Sequence, residues 1–397
     1  MDNKVIFAAA GNGKTYSICK QAKDIVDSTK GCVLLISYTN EGIRSLEKEY
    51  KKQNSGVLDE RVIIKSWYSF LLSDFIKPYQ CFLNLKYKLY KKDLDCKIPE
   101  NHVSSIAFYS EDPPRYYGQT HIQYYLNSAG DVYPNRTSEF AFLCNEHSKG
   151  KTIARMENIY TNIYIDELQD YAGWDLELIK LLFASKIRVT CVGDYKQATY
   201  RTNNSLKNKQ YRDEKIREFF SLLEKKGLCS LFYDNTTRRF NQEICEFINT
   251  VFDDTESLVE ENTDTAMHNE DNTGVYILDS NNMAKYCELY NPVVLRYDKK
   301  AKIEFEHNCT VLNYGASKGS TYERTVIIPV STVMPFLINQ KEITSNQTRS
   351  KFYVACTRAR HSVVFVVNGF KETAHFKPIS IKIGENKISG FKYKSTT

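Results

Sequence analysis

The chain has 397 residues, of which 42% are hydrophobic and 26% are charged, and its net charge is +6 at pH 7. This length predicts two or three domains, and the hydrophobic content excludes a globally disordered protein. The eleven cysteines lie at least 13 residues apart, which excludes a zinc knuckle and predicts free thiols in a cytoplasmic protein. No apolar run approaches the ~18 residues that span a bilayer, so no membrane partner is expected.

Short β-branched or aromatic runs alternate with helical patterns from the N-terminus onward. Val5–Phe7 predicts a strand, followed by a glycine-containing turn and an amphipathic helix from Thr15 to about Val26. Similar runs predict further buried parallel strands at 33–36, 62–64, 163–165, 189–192, 293–295 and 326–328. A helix is predicted over 41–51, and an apolar stretch covers 67–76. This alternation predicts an α/β fold with parallel sheets.

Two segments interrupt the alternation. Residues 81–150 are rich in Tyr, Asn, Lys and Pro with weak periodicity, which predicts an insertion. Residues 253–271 carry eight acids and no Lys or Arg, so the rest of the chain has a net charge of about +14. We interpret the acidic segment as a solvated loop, with a mimic of a nucleic-acid strand or a regulatory flap as the alternatives.

A glycine-containing loop, with the sequence AAAGNGKT, lies between the first strand and the first helix. Backbone N–H groups in such a loop bind a polyphosphate, the lysine reaches its β and γ oxygens, and the threonine hydroxyl holds Mg²⁺. An alanine stands at the first glycine position of the usual pattern. The residues predicted to bind the phosphates are Ala8, Ala9, Ala10, Gly11, Asn12, Gly13, Lys14 and Thr15.

Asp166 and Glu167 end the strand predicted at 163–165. An acid at the end of a buried strand can hold Mg²⁺, and an adjacent acid can polarise the attacking water. Two neighbouring acids are a weak signal alone, but together with the phosphate loop they predict an NTP-hydrolysing site.

Four further motifs continue to the C-terminus, and they are VGDYKQATYR (192–201), TRRF (237–240), GASKGSTY (315–322) and YVACTRAR (353–360). Together with DELQD at 166–170, and in this order, they resemble the superfamily 1 helicases, most closely the UvrD/Rep/PcrA group. The resemblance covers residues 8 to about 360, which is most of the chain.

The resemblance implies two RecA-like cores that hold ATP between them and grip a single strand. On this basis we expect a first core (1–80 and 151–226), an insertion subdomain (81–150) and a second core (227–397) that contains the acidic loop. The implied activity is ATP-dependent translocation or unwinding of nucleic acid, with ATP and Mg²⁺ as cofactors.

The family's site residues carry over by position. Thr15 and Asp166 would bind Mg²⁺, Glu167 would act as the catalytic base, and Gln197 would sense the γ-phosphate. Two residues would act as arginine fingers, Arg239 and Arg358. The ATP site would also include Gly319. The family's Arg and Tyr beside the base look exchanged here, so Tyr16 and Arg238 are predicted to enclose the base.

The resemblance also implies contacts with the strand. Tyr38 matches an aromatic position that stacks on bases, and the motif around Ser66 resembles one that contacts the backbone. The residues predicted to bind nucleic acid are Tyr38, Thr39, Asn40, Ser66, Tyr68, Tyr200 and Lys318. Trp67 and Phe70 in the same region are predicted to pack in the core.

Several positions depart from the family pattern. The glutamine that reads adenine has no counterpart before the phosphate loop, and the family's strand-stacking Trp and the Arg after it are replaced by Thr202 and Asn203. Only about sixty residues separate Asn249 from Thr310, which leaves no room for the family's 2B subdomain. The chain is therefore expected to be a compact member.

Alternatives stay open on function and direction. DELQD favours 3′→5′ movement, whereas Thr321 in GASKGSTY leans toward relatives that move 5′→3′. The expected partner is single-stranded or end-bearing DNA, with RNA as an open alternative. A DNA-sensing or partner-regulating NTPase switch without processive unwinding competes with the motor, and a small-molecule kinase is disfavoured because it needs one core only. No nuclease constellation is present from Asn368 to Thr397, so any strand cleavage that accompanies this protein would be supplied by a separate subunit. The resemblance implies a defence or repair complex as the context.

Overall fold

The computed structural model describes residues 2–100, 102–109, 112–113, 116–199, 202–252, 257–261, 271–306, 308–383 and 386–394. The chain divides into two compact units. The first comprises Met1–Phe7, Lys14–Tyr195 and Tyr200–Phe232, and the second comprises Ala8–Gly13, Lys196–Thr199 and Tyr233–Thr397. No helix in the described ranges is both long and apolar enough to cross a membrane.

The strands in chain order are β1 Lys4–Ala8, β2 Val33–Ser37, β3 Val62–Ser66, β4 Asn84–Leu89, β5 Lys92–Lys97, β6 Asn162–Ile165, β7 Arg188–Gly193, β8 Ser230–Asp234, β9 Thr236–Thr237, β10 Val259–Glu260, β11 Gly274–Leu278, β12 Val293–Arg296, β13 Val311–Asn313, β14 Tyr322–Ile328, β15 Ala359–Val366, β16 Phe376–Ile383 and β17 Asn386–Tyr393. The α-helices are α1 Lys14–Ser28, α2 Asn40–Gln53, α3 Trp67–Phe70, α4 Lys77–Tyr79, α5 Pro134–His147, α6 Lys151–Glu157, α7 Trp174–Phe183, α8 Ile216–Lys225, α9 Gln242–Asn249, α10 Ser280–Tyr290, α11 Met334–Asn339 and α12 Asn346–Cys356.

The first unit is built on a six-stranded sheet in the order β3-β2-β6-β7-β1-β8. The pairs β2–β3, β2–β6, β6–β7 and β1–β7 are parallel, and every residue of β2 is buried. The prediction of an α/β chain with buried parallel strands is therefore confirmed. Because these strands run in one direction, the segments that follow β1, β2, β3, β6 and β7 all leave from the same edge of the sheet.

Two helices cover one face of this sheet. α1 buries Ile18, Cys19, Ala22 and Val26, and α2 buries Leu46 and Tyr50 against the same apolar cluster. Thr39 caps α2, because its hydroxyl accepts a hydrogen bond from the backbone N–H of Gly42 at 3.0 Å. The predicted helices over 15–26 and 41–51 are thus confirmed, each a little longer than expected.

The other face of the sheet packs against a cluster that draws on the segment 81–150. This segment forms the antiparallel hairpin β4–β5 and helix α5. Its buried side chains Val103, Tyr125, Val132 and Phe140 belong to the same apolar cluster as Trp67. In this structure, much of the segment therefore contributes to the core of the first unit, while the predicted domain boundaries stay a prediction.

A buried carboxylate organises this second face. Asp175 on α7 is 1% exposed and accepts hydrogen bonds from the indole N–H of Trp67 at 2.7 Å and from the hydroxyls of Ser138 and Thr202. Burial raises the pKa of Asp175, and the three donors oppose that shift. Trp67 and Phe70 are fully buried, as expected for core residues.

Replacing Asp175 with alanine is expected to destabilise the first unit by about 1–3 kcal/mol, because three buried donors lose their acceptor. The measurement is the midpoint of urea unfolding followed by tryptophan fluorescence. Asp95→Ala is the matched control, because Asp95 is exposed on β5. Equal midpoints for the two variants would show that the buried network contributes no stability.

The second unit has a seven-stranded sheet in the order β13-β12-β14-β15-β11-β17-β16. The first five strands are parallel, which confirms the strands predicted at 293–295 and 326–328. The antiparallel hairpin β16–β17 extends the sheet beside β11, and neither of its strands was predicted from the sequence. Phe247 on α9 lies at the centre of the core, with ring contacts to Phe336, Phe352, Phe365, Phe376 and Tyr393.

Candidate functional site

The predicted phosphate loop is held by backbone and side-chain contacts within the second unit. The carbonyl oxygen of Ala10 accepts from the Thr237 hydroxyl at 2.8 Å, and that of Gly11 accepts from the backbone N–H of Arg238 at 3.1 Å. Gly11 has φ +81°, and a Cβ there would lie 2.5 Å from the Cβ of Arg239. Glycine is therefore required at position 11 both by backbone conformation and by this close approach.

Lys14 and Thr15 open α1 in the first unit, directly after the loop. The Thr15 hydroxyl donates to Oδ2 of Asp166 at 3.3 Å, although the two residues are 151 positions apart. Asp166 itself prolongs the pairing of β6 with β2, because its backbone N–H donates to the carbonyl oxygen of Ile36 at 2.8 Å. The structure thus brings together the two residues predicted to bind Mg²⁺.

A hydroxyl and a carboxylate fit Mg²⁺, which prefers oxygen ligands and takes only one or two carboxylates from the protein together with phosphates and water. No group of three or more His, Cys, Asp or Glu residues in the described ranges is arranged to hold a metal ion. Mg²⁺ held there would neutralise charge on the nucleotide phosphates.

Asp166 is buried, and this burial raises its pKa to about 7. The charge of neighbouring Glu167 contributes to this raised pKa, whereas the backbone N–H of Glu167, the Lys14 ammonium and the Thr15 hydroxyl oppose the shift.

Glu167, the predicted base, has left-handed backbone angles, with φ 56° and ψ 42°. The side-chain N–H of Gln169 donates to Oε2 of Glu167, and Oε1 of Gln169 accepts from the backbone N–H of Asp194 at 2.9 Å. A Cβ on Gly193 would lie 2.5 Å from that Oε1 atom. Gln169 therefore positions the carboxylate of Glu167, a role that the sequence motif contained but did not reveal.

Gln197, Arg239 and Arg358 lie close together in the second unit. Arg358 is 1% exposed and donates to Oε1 of Gln197 at 3.3 Å and to the carbonyl oxygen of Val354 at 2.9 Å. Arg239 donates from Nη1 to the carbonyl oxygen of Thr357 at 2.7 Å. The structure therefore brings the predicted γ-phosphate sensor into direct contact with one of the two predicted arginine fingers.

The residues predicted around the nucleotide base are exposed. Tyr16 on α1 is 50% exposed, and Arg238 forms an ion pair with Glu261 at 2.9 Å. Glu261 belongs to the acidic segment, of which 253–256 and 262–270 lie outside the described residues. Gly319 lies in a turn with φ +81°. The enclosure of a base by Tyr16 and Arg238 stays a prediction.

Five of the residues predicted to bind the strand lie directly after β2 or at and just after the end of β3. The rings of Tyr38 and Tyr68 are 5.7 Å apart, and their hydroxyls are 3.5 Å apart. Thr39 and Ser66 cap helices, so their hydroxyls already have backbone partners. Asn40 is exposed and Lys318 is half-buried in the second unit, whereas Tyr200 lies outside the described residues.

Comparison with known proteins yields one family match. Residues 133–215 match the UvrD/REP helicase N-terminal domain. This range contains DELQD, Gln197 and Thr202, and over it the resemblance to these helicases is confirmed. No curated protein matches the chain.

Two solved structures are similar in fold, namely the Arterivirus nonstructural protein 10 (helicase) and its complex with DNA. Each is 13% identical in sequence with a TM-score of 0.43, and each match covers 92% of this chain. The chain matches 59% and 60% of the length of those structures.

Proposed function

We propose that the chain is a nucleic-acid-stimulated ATPase that moves along a single strand. The observation that carries this proposal is the contact between Thr15, at the end of the phosphate loop, and Asp166 of the DELQD motif. That contact joins the end of the predicted phosphate loop to DELQD, and DELQD lies within the residues that match the helicase family. A small-molecule kinase would not need the second arginine-bearing unit.

Each side chain of the candidate site has a separate role in ATP hydrolysis. Lys14 binds the β and γ oxygens of ATP, and Thr15 and Asp166 hold the magnesium ion that accompanies it. Glu167, positioned by Gln169, takes the proton from the attacking water. Arg239 and Arg358 neutralise the charge that develops on the transferred phosphoryl group.

Gln197 provides the coupling between hydrolysis and the strand. It accepts a hydrogen bond from Arg358, so a change at the γ-phosphate alters the environment of both residues. Gln197 also lies three residues before Tyr200, a predicted strand contact. The strand is proposed to be DNA and the movement 3′→5′, because DELQD and QATY resemble the group with that direction.

The test is ATP and GTP turnover with and without a single-stranded thymidine oligonucleotide. We expect the strand to increase turnover of the wild-type protein and to have no effect on Lys14→Ala, which loses its phosphate contacts. Translocation is then measured in both directions on strands labelled at the 5′ or the 3′ end. Turnover that no strand alters would contradict the motor.

A partner-regulating ATPase switch is the second candidate. It is favoured by Thr202, which is 5% exposed and bonded to Asp175, and which stands where the related helicases have a strand-stacking Trp. Turnover that is indifferent to nucleic acid but lost in Lys14→Ala would support the switch.

A further inference from the structure

Three aromatic side chains form a row in the first unit, and we call Tyr38, Tyr68 and Phe108 the aromatic row. The ring centroids of Tyr38 and Tyr68 are 5.7 Å apart, and those of Tyr68 and Phe108 are 5.2 Å apart with an interplanar angle of 86°. Tyr38 and Tyr68 were predicted from the sequence to contact a strand. Phe108 comes from the segment 81–150, to which the sequence assigned no function.

The aromatic row lies beside Thr202, the position at which the related helicases have a strand-stacking Trp. Thr202 cannot stack on a base, because its hydroxyl accepts from the backbone N–H of Ala172 at 3.0 Å and the side chain is buried. The hydroxyl of Tyr68 donates to the carbonyl oxygen of Thr202 at 3.4 Å. The ring of Phe108 packs edge-on against Tyr68. Tyr68 therefore contacts both Phe108 and the residue at position 202.

Phe108 is exposed although the backbone before it is anchored. Its side chain is 59% exposed, and the adjacent Tyr109 is fully exposed. The backbone N–H of Ala107 donates to the carbonyl oxygen of Val132 at 2.9 Å, and that of Val132 donates to the carbonyl oxygen of Ser105 at 3.1 Å. Because Val132 is completely buried, this part of the loop is fixed to the core and presents an apolar ring to solvent.

We infer that Phe108 stacks on a base of the bound single strand and replaces the aromatic residue that is missing at position 202. The inference rests on the proposed function and names a binding residue for it. Bases suit this surface because every base has an aromatic face, so stacking needs no particular sequence. The excess of basic residues outside the acidic segment favours a negatively charged occupant, and the aromatic row favours one that presents flat aromatic faces.

The experiment compares Phe108→Ala, Phe108→Trp and Phe82→Ala with the wild-type protein. Binding of a fluorescein-labelled thymidine oligonucleotide is measured by anisotropy at several salt concentrations. Phe82 is the matched control, because it is an exposed aromatic of the same unit, 41% exposed, whose ring contacts Lys151 and Tyr79 outside the aromatic row. The thermal midpoint of each variant is recorded, and an exposed ring is expected to leave it unchanged.

Loss of one stacked base predicts a Kd about 5- to 150-fold higher for Phe108→Ala. The slope of log Kd against log salt should stay as in the wild type, since no charge is removed. Phe108→Trp should restore binding, and Phe82→Ala should bind like the wild type. Wild-type affinity in Phe108→Ala would overturn this inference alone, whereas a wild-type protein that binds no strand would overturn the proposed function as well.

Discussion

Glu167→Gln is expected to lower strand-stimulated ATP turnover by about 10²–10⁴-fold, because the amide cannot accept the proton of the attacking water. The affinity for ATP should remain, since the phosphate contacts of Lys14 and Thr15 are untouched. Turnover is measured by phosphate release, and affinity by titration with a fluorescent ATP analogue.

Two observations sharpen this test. Glu60→Gln is the matched control, because Glu60 is exposed and lies outside the site, so its turnover should equal that of the wild type. The left-handed backbone of Glu167 and its hydrogen bond from Gln169 are retained by a glutamine of the same length. Wild-type turnover in Glu167→Gln would therefore show that another group accepts the proton.

Arg239→Ala is expected to reduce kcat for ATP hydrolysis by about 10³–10⁵-fold if its guanidinium neutralises transition-state charge. The neighbouring Arg238 gives a matched comparison one residue away. Arg238→Ala should mainly raise KM for ATP, because Arg238 is predicted to lie against the base. The measurement is the dependence of turnover on ATP concentration for both variants.

Comparing Arg239→Ala with Arg238→Ala tests which arginine of TRRF acts as the arginine finger. A loss of kcat in Arg238→Ala with an active Arg239→Ala protein would reverse the two roles. Arg358→Ala is a less specific probe, because Arg358 is buried and also binds the carbonyl oxygens of Val354 and Ser320. Its removal breaks both hydrogen bonds and is therefore expected to destabilise the second unit as well.

Much of the candidate site could be predicted from the sequence because it depends on local patterns. The AAAGNGKT loop needs only a strand, a turn with glycines and a helix start, and each has its own local signal. The same is true of DELQD after a buried strand. The parallel strands were predictable because a strand covered on both faces forms a nearly continuous apolar run, as β2 does from Val33 to Ile36.

Other features depended on contacts between distant parts of the chain. The alternation of Ile379 and Ile381 in β16 was a signal for the hairpin, but only packing decided that it joins the sheet beside β11. Asp175 looked like an ordinary helical acid, and its role follows from donors that lie 37, 27 and 108 residues away. No local pattern contains such distances.

By itself, the sequence determined that this chain has parallel α/β sheets and that residues 166–170 belong to a segment similar to the UvrD/REP helicases, and it predicted the phosphate loop. The spacing of apolar residues and the residue types along a short stretch are sufficient to predict these features. Only the tertiary structure decided that Gln169 positions Glu167, that Arg358 binds Gln197, and that Phe108 extends the aromatic row. Hydrogen bonds and ring contacts act over a few ångströms, so which distant side chains meet is settled by how the whole core packs.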